Sequence, residues 1–380
     1  MENFYAALFS EIIGNLNNDY HDNYDHYRFG VAKENEQPKK TGTSLRRRMV
    51  KFLDTALAKK NYVRSNNNHT KYIHAVQKLA PYFNALEAFY NMLADEASKG
   101  MLVKLLTFRV LGHKKIKLPL NTEAYWDGIK TIEDIADKND FINVKFFDWK
   151  LSRINLNKKG IPVELYLMPV NTFRDFFLKQ YEYKNDSVCI KVENGDCVID
   201  AGGCWGDTAL YFSNEAGEKG NVFSYEFIPS NIEILKKNLA LNTQLEKRIT
   251  LIDKPVWETS GTTMYYIDNG PGSKVFLDGN DSYDGAVESL SIDDLVMQYN
   301  IPKIDFIKMD IEGAEPYALK GAVQTIKKFK PKLAIAIYHS MDDFINIPAF
   351  IASLNCGYKF YLGHYTIHTE ETILFATAES

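Results

Sequence analysis

The sequence is short of basic charge, of cysteine and of long apolar runs, and each shortage excludes something. Its 45 lysines and arginines do not balance 49 aspartates and glutamates. The resulting net charge of -4 argues against a general nucleic-acid binder, which needs a strongly basic balance or face. Cys189, Cys197, Cys204 and Cys356 show no metal-knuckle spacing. Three of them fall in expected strands or in a glycine turn, where a small apolar residue packs well, and a reducing, cytoplasmic setting follows as the expectation. No segment approaches the ~20 apolar residues of a membrane span. Met1 to Asn18 mixes apolar residues with Glu2 and Glu11 and lacks a basic start followed by an apolar run, so no targeting signal is expected there. Internal repeats and low-complexity segments are absent as well. What remains is the expectation of a soluble intracellular protein.

Hydrophobic and charged fractions of 45% and 25% are ordinary for such a protein, and 380 residues suffice for two domains with a sizeable core. The first stretch, 1–116, is helical in pattern. Ile73, Val76, Leu79 and Phe83, then Leu86, Phe89, Met92 and Leu93, recur at steps of mostly three and four. Pro81 should kink or divide that run, and Asp19 to Asp25 and Ser65 to Thr70 read as loops. The one basic concentration, Lys39 to Lys60, reads as the solvated face of a helix, with an anionic partner as the alternative. Residues 1–116 would thus serve as a cap, a substrate-recognition element or a surface for homodimerisation.

Residues 117–196 change character. Runs such as Phe146 to Trp149 and Val163 to Met168, around a turn at Lys158-Lys159-Gly160, predict a small antiparallel lead-in. A helix over Asn171 to Gln180 and a strand over Val188 to Val192 follow. From 197 to 380 strands alternate with helices. Val198–Ala201, Val222–Phe227, Ile249–Ile252, Ile304–Asp310 and Leu333–Tyr338 alternate with helices that include Thr208–Phe212, Asn231–Leu241 and Glu315–Phe329. This predicts an α/β fold with a doubly wound, mostly parallel sheet, closed by an antiparallel pair at Lys359–Leu362 and Thr372–Phe375. Ligands of such sheets bind beyond the carboxyl ends of the strands, so Asp200, Glu226, Asp310 and His339 should converge on one crevice.

Its focus is Val198-Ile199-Asp200-Ala201-Gly202-Gly203-Cys204-Trp205-Gly206-Asp207, a buried strand running through a glycine turn into a helix. Gly202, Gly203 and Gly206 permit close backbone approach to a ligand, and the helix opening at Asp207 directs unpaired N–H groups at it. A dinucleotide fingerprint would need glycine where Cys204 and Asp207 stand. An acid beside the turn also repels a pyrophosphate and suits a ligand with an ammonium and hydroxyls. A second strand-end acid, Glu226, lies about twenty residues beyond the turn, placed to hold a ribose diol. The two acids together suggest S-adenosylmethionine.

The same blocks carry a resemblance to the FkbM family of S-adenosylmethionine-dependent methyltransferases. It rests on Gly195 to Thr208, on Ser224-Tyr225-Glu226-Phe227-Ile228-Pro229, on Ser289 to Leu295, and above all on Ile304 to Glu315 with Leu319-Lys320-Gly321-Ala322. The family usually carries alanine where Gly203 stands and asparagine at or beside Trp205. The resemblance implies a class I, seven-stranded Rossmann-like fold and transfer of a methyl group to a hydroxyl of a sugar, glycan precursor or secondary metabolite. N-methylation, a protein or lipid-linked acceptor, and a non-catalytic cofactor-binding scaffold are the alternatives. It implies that Asp200, Gly202, Gly203, Gly206 and Asp207 border the methionine end, that Glu226 holds the ribose, and that Phe227 and Ile228 line the adenine.

For the chemistry, His339, Lys308 and Asp310 are the candidates. Lys308 and Asp310 share one strand face, either as a structural ion pair or to steer the acceptor. Asp310 could hold the methionine ammonium or orient the acceptor, and His339, with a pKa near neutrality, could take the hydroxyl proton. Asp310, Glu312 and His339 could also ligate a divalent cation, though a metal-free site is favoured. Asn269 to Asp284 should form a hairpin near the acceptor, with Asp281, Tyr283 and Asp284 as further contacts.

Overall fold

The computed structural model describes residues 3–29, 66–185, 187–279 and 282–378, and the basic segment Lys39 to Lys60 and Asp281 lie outside them. The chain forms two compact units, residues 1–87 with 103–118, and residues 88–102 with 119–380.

In the first unit the helix Phe4–Asn15 is capped by Asn3, whose side chain accepts from Tyr5 N at 2.9 Å. It buries Phe4, Leu8 and Ile12, one residue per turn along one face. Pro81 divides the next run as its geometry requires, with Asn66–Leu79 and Phe83–Met92 joined by a 3-10 turn at Ala80–Tyr82. The loop expected over Ser65 to Thr70 is helical from Asn66 on. Ile73, expected on the buried stripe, is 56% exposed, and Tyr72 is buried instead.

The second unit begins its sheets with β1 (Ala136–Asn143), β2 (Lys150–Asn155) and β3 (Glu164–Leu167), paired antiparallel in that order. Phe146 to Trp149, expected as a strand, is instead a tight 3-10 turn between β1 and β2 in which Phe147 and Asp148 are left-handed. The helix expected at Asn171 begins earlier, at Pro169, where the fixed φ of proline suits the first helical position, and ends at Phe176. A short pair, β4 (Tyr183–Lys184) and β5 (Cys189–Ile190), leads into the main sheet.

That main sheet has seven strands. They are β6 (Cys197–Ala201), β7 (Asn221–Tyr225), β8 (Ile249–Ile252), β12 (Phe306–Met309), β13 (Lys332–Ala336), β14 (Tyr358–His364) and β15 (Thr372–Ala378). Their order is β14-β15-β13-β12-β6-β7-β8, with β15 antiparallel to both of its neighbours and the rest parallel. All five residues of β6 and all four of β12 are buried, as expected of strands covered on both faces. The direction of winding reverses between β6 and β12, and the ends of these two strands flank the glycine turn.

Two expectations change in the second half. The helix over Glu315 to Phe329 is two helices, Glu315–Lys320 and Val323–Phe329. It breaks at Gly321, where a Cβ would collide with the Trp257 carbonyl oxygen. The hairpin expected around Asn269 to Asp284, between strand-like Thr262 to Ile267 and Ala286 to Leu290, forms from β9 (Thr263–Ile267) and β11 (Gly285–Glu288), and the intervening segment adds a third antiparallel strand, β10 (Lys274–Phe276), on the other edge of β9.

Candidate functional site

The glycine turn passes directly under the end of β12. Gly202 has φ +91°, and a Cβ there would run into the Asp310 carbonyl oxygen. At Gly203 a Cβ would strike the Ser224 hydroxyl. Gly202 is closed to any side chain by backbone, whereas at Gly203, where the resembling family carries alanine, a Cβ would have to displace the Ser224 hydroxyl from Asp200.

Register sets the chemistry beneath the turn. Lys308 on β12 lies opposite Asp200 on β6, and both are buried. The ammonium is 3.1 Å from Asp200 Oδ1 and donates to the carbonyls of Ala201 at 3.1 Å and Gly202 at 2.6 Å. Asp200 Oδ2 accepts from Thr208 and Ser224, both at 2.9 Å. Lys308 thus pairs with Asp200 across strands, and its three donors are spent on the turn. Asp200, expected at the methionine end, and Lys308, expected either as a structural ion pair or to steer the acceptor, are thus paired beneath the turn, and neither lines the cavity above it.

Above the turn opens a cavity of about 340 Å³, within the range of small-molecule sites. Gly202, Glu226, Phe227, Ile228 and Asp310, all expected at the crevice, line it together. Gly203, Gly206 and Asp207 do not line it, because the chain turns down into the helix Asp207–Ala216 after Cys204. Asp207, 8% exposed, belongs instead to a buried acidic contact with Asp175. Trp205 points into the core, packing edge-on against Trp149, while its carbonyl accepts from Asn238 at 2.9 Å.

Glu226 follows β7 and is 7% exposed. One carboxylate oxygen accepts from Phe227 N and Ile228 N, both at 2.7 Å, and the other from Asn231 Nδ2 at 3.2 Å. Burial outweighs these donors and pushes its pKa up to about 7. Asn231 also lines the cavity, and its Oδ1 is buried with no partner among the described residues. Sequence reasoning placed Asn231 only as a helix start. Its position in the first turn after Glu226 was the available signal, since such side chains stand beside the strand end. Trp257 and Tyr317 were missed as well; their rings stack at 4.2 Å on the wall, joined by a contact between distant segments that no local pattern reveals.

On the opposite wall Asp310 accepts from the Tyr181 hydroxyl at 3.2 Å and from the Tyr338 hydroxyl at 3.1 Å. His339 lies beyond β13, its Nε2 3.4 Å from Asp310 Oδ1 and 4.0 Å from Glu312 Oε1, its Nδ1 3.2 Å from Glu315 Oε1. Burial alone would lower its pKa, but the hydrogen bond and charge of Glu315, with the charges of Asp310 and Glu312, raise it to about 10. His339, expected as a proton acceptor with a pKa near neutrality, is held above that range by the surrounding acids and is not among the residues lining the cavity. Burial likewise raises Asp310, and it raises Glu312 to about 7. Glu315, read from sequence as a helix-start acid, turns back to accept from Ile311 N at 2.7 Å. Tyr283 stacks with Tyr265 and Phe276, and Asp284 accepts from Asp268 N at 2.8 Å, so neither lines the cavity; Ser273, Lys274, Val275 and Leu277 do. Among the described residues no helix is long and apolar enough to cross a membrane.

With this geometry established, the comparisons with known proteins are specific. Residues 189–360 match the family model of the methyltransferase FkbM domain. A solved methyltransferase FkbM from Methylobacillus flagellatus KT is 19% identical, covers 79% of this chain and 60% of its own, and superposes with a TM-score of 0.50. At that identity the likeness speaks for the fold, and the present chain spans about 60% of that protein's length. Two others superpose too loosely to bear on this chain. An S-adenosyl-L-methionine-bound fibrillarin from Aeropyrum pernix is 15% identical over 49% of this chain and 68% of its own, TM-score 0.31. A precorrin-6y C5,15-methyltransferase from Geobacter metallireducens GS-15 is 10% identical over 64% and 96%, TM-score 0.35. No curated protein matches the sequence. The glycine turn, the seven-stranded order and the matched segment agree: residues 189–360 are similar to the FkbM methyltransferase domain, and the sheet has the class I methyltransferase fold.

Proposed function

We propose that this protein is an S-adenosylmethionine-dependent methyltransferase that methylates a hydroxyl of a sugar, glycan precursor or secondary metabolite. The observation that carries the reading is Glu226, a buried carboxylate on the cavity wall held by neutral N–H donors alone. A carboxylate kept dry without a cation is unfavourable unless a ligand supplies hydroxyl donors, and a ribose diol supplies two. Asn231 Oδ1, buried and unpartnered beside it, gives a further acceptor for the same nucleoside. Phe227 and Ile228 offer apolar surface for the base, and Gly202 with Cys204 leaves bare backbone toward the methionine end.

When bound, the cofactor supplies an electrophilic methyl group. The chain's own residues bind, orient and exclude water. Asp310, fixed by two tyrosine hydroxyls, is the polar group facing the cavity from β12, and it orients the acceptor oxygen. Lys308 and Asp200 keep the turn in place, and Trp257 with Tyr317 walls the cavity against solvent. Calorimetry with S-adenosylmethionine and its demethylated product tests the reading. Binding of both to wild type, with turnover falling by about 10²–10⁴ in Asp310→Asn at unchanged cofactor affinity, is the expected result. If neither compound binds, the reading fails.

A further inference from the structure

We infer that Asp310, Glu315 and His339 form a site for one divalent transition-metal cation at the edge of the cavity, an inference that rests on the methyltransferase reading of that cavity. One potential ligand atom from each of the three lies within 4.8 Å of the others. The shortest separations run to different ring nitrogens, Glu315 Oε1 to Nδ1 at 3.2 Å and Asp310 Oδ1 to Nε2 at 3.4 Å, so an ion bound at about 2.0–2.2 Å would take one nitrogen and draw the other carboxylate round to it. Independently of the clustering, Glu315 is completely buried and its Oε2 has no hydrogen-bond partner among the described residues, although Oε1 is engaged by Ile311 N. A buried carboxylate oxygen left bare is costly unless something positive meets it.

The surroundings fit a cation better than an ordinary ion pair. Three acids, Asp310, Glu312 and Glu315, approach one imidazole, whose side chain is 10% exposed. A single proton on the ring offsets one of those charges. A divalent ion offsets two and can engage Glu315 Oε2, which the ring does not. The donor set, one nitrogen and carboxylate oxygens, suits Mn²⁺ to Zn²⁺ more than Ca²⁺ or Mg²⁺. Tyr181 and Tyr338, hydrogen-bonded to Asp310, orient that ligand in the way outer partners fix a metal site. Because Asp310 and Glu312 line the cavity, the ion would sit within reach of an acceptor oxygen and polarise it.

The test uses the whole chain stripped of metal and titrated with Mn²⁺ alone, following the free-ion paramagnetic resonance signal. One saturable ion per chain is expected, displaced by Zn²⁺, with affinity reduced about 10–100-fold in His339→Asn and in Glu315→Gln. Glu226→Gln, across the cavity, should bind the ion as wild type does. Absence of saturable binding to wild type overturns the inference without recourse to any variant, and so does binding that survives both substitutions. Calorimetry of S-adenosylmethionine on the same metal-free sample separates the two readings. If cofactor binds and Mn²⁺ does not, only the cation site falls, and His339 is then an imidazolium braced between Asp310 and Glu315.

Discussion

Asp200 and Glu226 end up on opposite sides of one boundary although the sequence presents them alike, each an acid at the carboxyl end of a strand, with the two strands adjacent and parallel. Asp200 has a lysine opposite on the next strand, in ion-pair contact with Oδ1, and two hydroxyls that donate to Oδ2, so its charge is compensated inside the protein. Glu226 has only amide donors and stands on the wall of the cavity. The difference teaches that a strand-end acid is held within the protein when a cation lies across the sheet from it, and that one held by amides alone can stand on a cavity wall.

Substitution can break this comparison, and the largest effect belongs to the scaffold side. Lys308→Met leaves Asp200 buried without its cation and strips two donors from the turn, and should cost about 3–5 kcal/mol of stability in chemical denaturation. Recovery of part of that loss in the double variant with Asp200→Asn would show that the stranded charge is the cause. Next, Gly202→Ala pushes a Cβ into the Asp310 carbonyl at a left-handed position and should cost about 1–3 kcal/mol, while cofactor binding is lost. An unchanged melting temperature would mean that the turn can shift away from β12.

On the ligand side the signs should reverse. Glu226→Gln should weaken S-adenosylmethionine binding by about 10–100-fold in calorimetry and leave the unfolding midpoint near wild type. Destabilisation as large as that of Lys308→Met would place Glu226 with the scaffold and erase the distinction. The smallest effect is that of pH. Burial holds Glu226 near 7, above its unfolded value, against the pull of the Phe227, Ile228, Asn231 and Cys204 donors. The raised pKa means that the folded state retains a proton the unfolded chain gives up, so this group's contribution to stability is complete below the unfolded value and declines as pH climbs toward 7. Cofactor affinity should move the other way, rising about tenfold from about pH 6 to about pH 8 as the carboxylate forms, and this rise should flatten in Glu226→Gln.

Much of the second unit was legible because strand and helix periods are local. Ile249–Ile252 coincides with β8, and Pro81 marked the division between two helices. Elements were misjudged where a distant contact overrode the local pattern. The helix after Glu315 breaks because Gly321 abuts the Trp257 backbone, and β10 exists because β9 offers it an edge. At the site, Glu226 and Asp310, two of the four strand-end residues expected at the crevice, line the cavity, whereas Asn231, Trp257 and Tyr317 were not anticipated there, since only the third dimension brings them to the same wall.

The amino-acid order by itself determined the parallel sheet, the glycine turn and the short list of acids that could serve a ligand there, because burial on both faces, backbone freedom and charge are properties of neighbouring residues. Which acid is satisfied inside the protein and which stands on the cavity wall was decided by the register of β6 against β12, which sets Lys308 against Asp200 and leaves Glu226 without a cation. Likewise, His339 could be read from sequence as a neutral base, but three carboxylates contributed by the β12 end and the helix after it surround the ring and raise its pKa to about 10. Charge state depends on what surrounds a group in space, and only the folded chain supplies those surroundings.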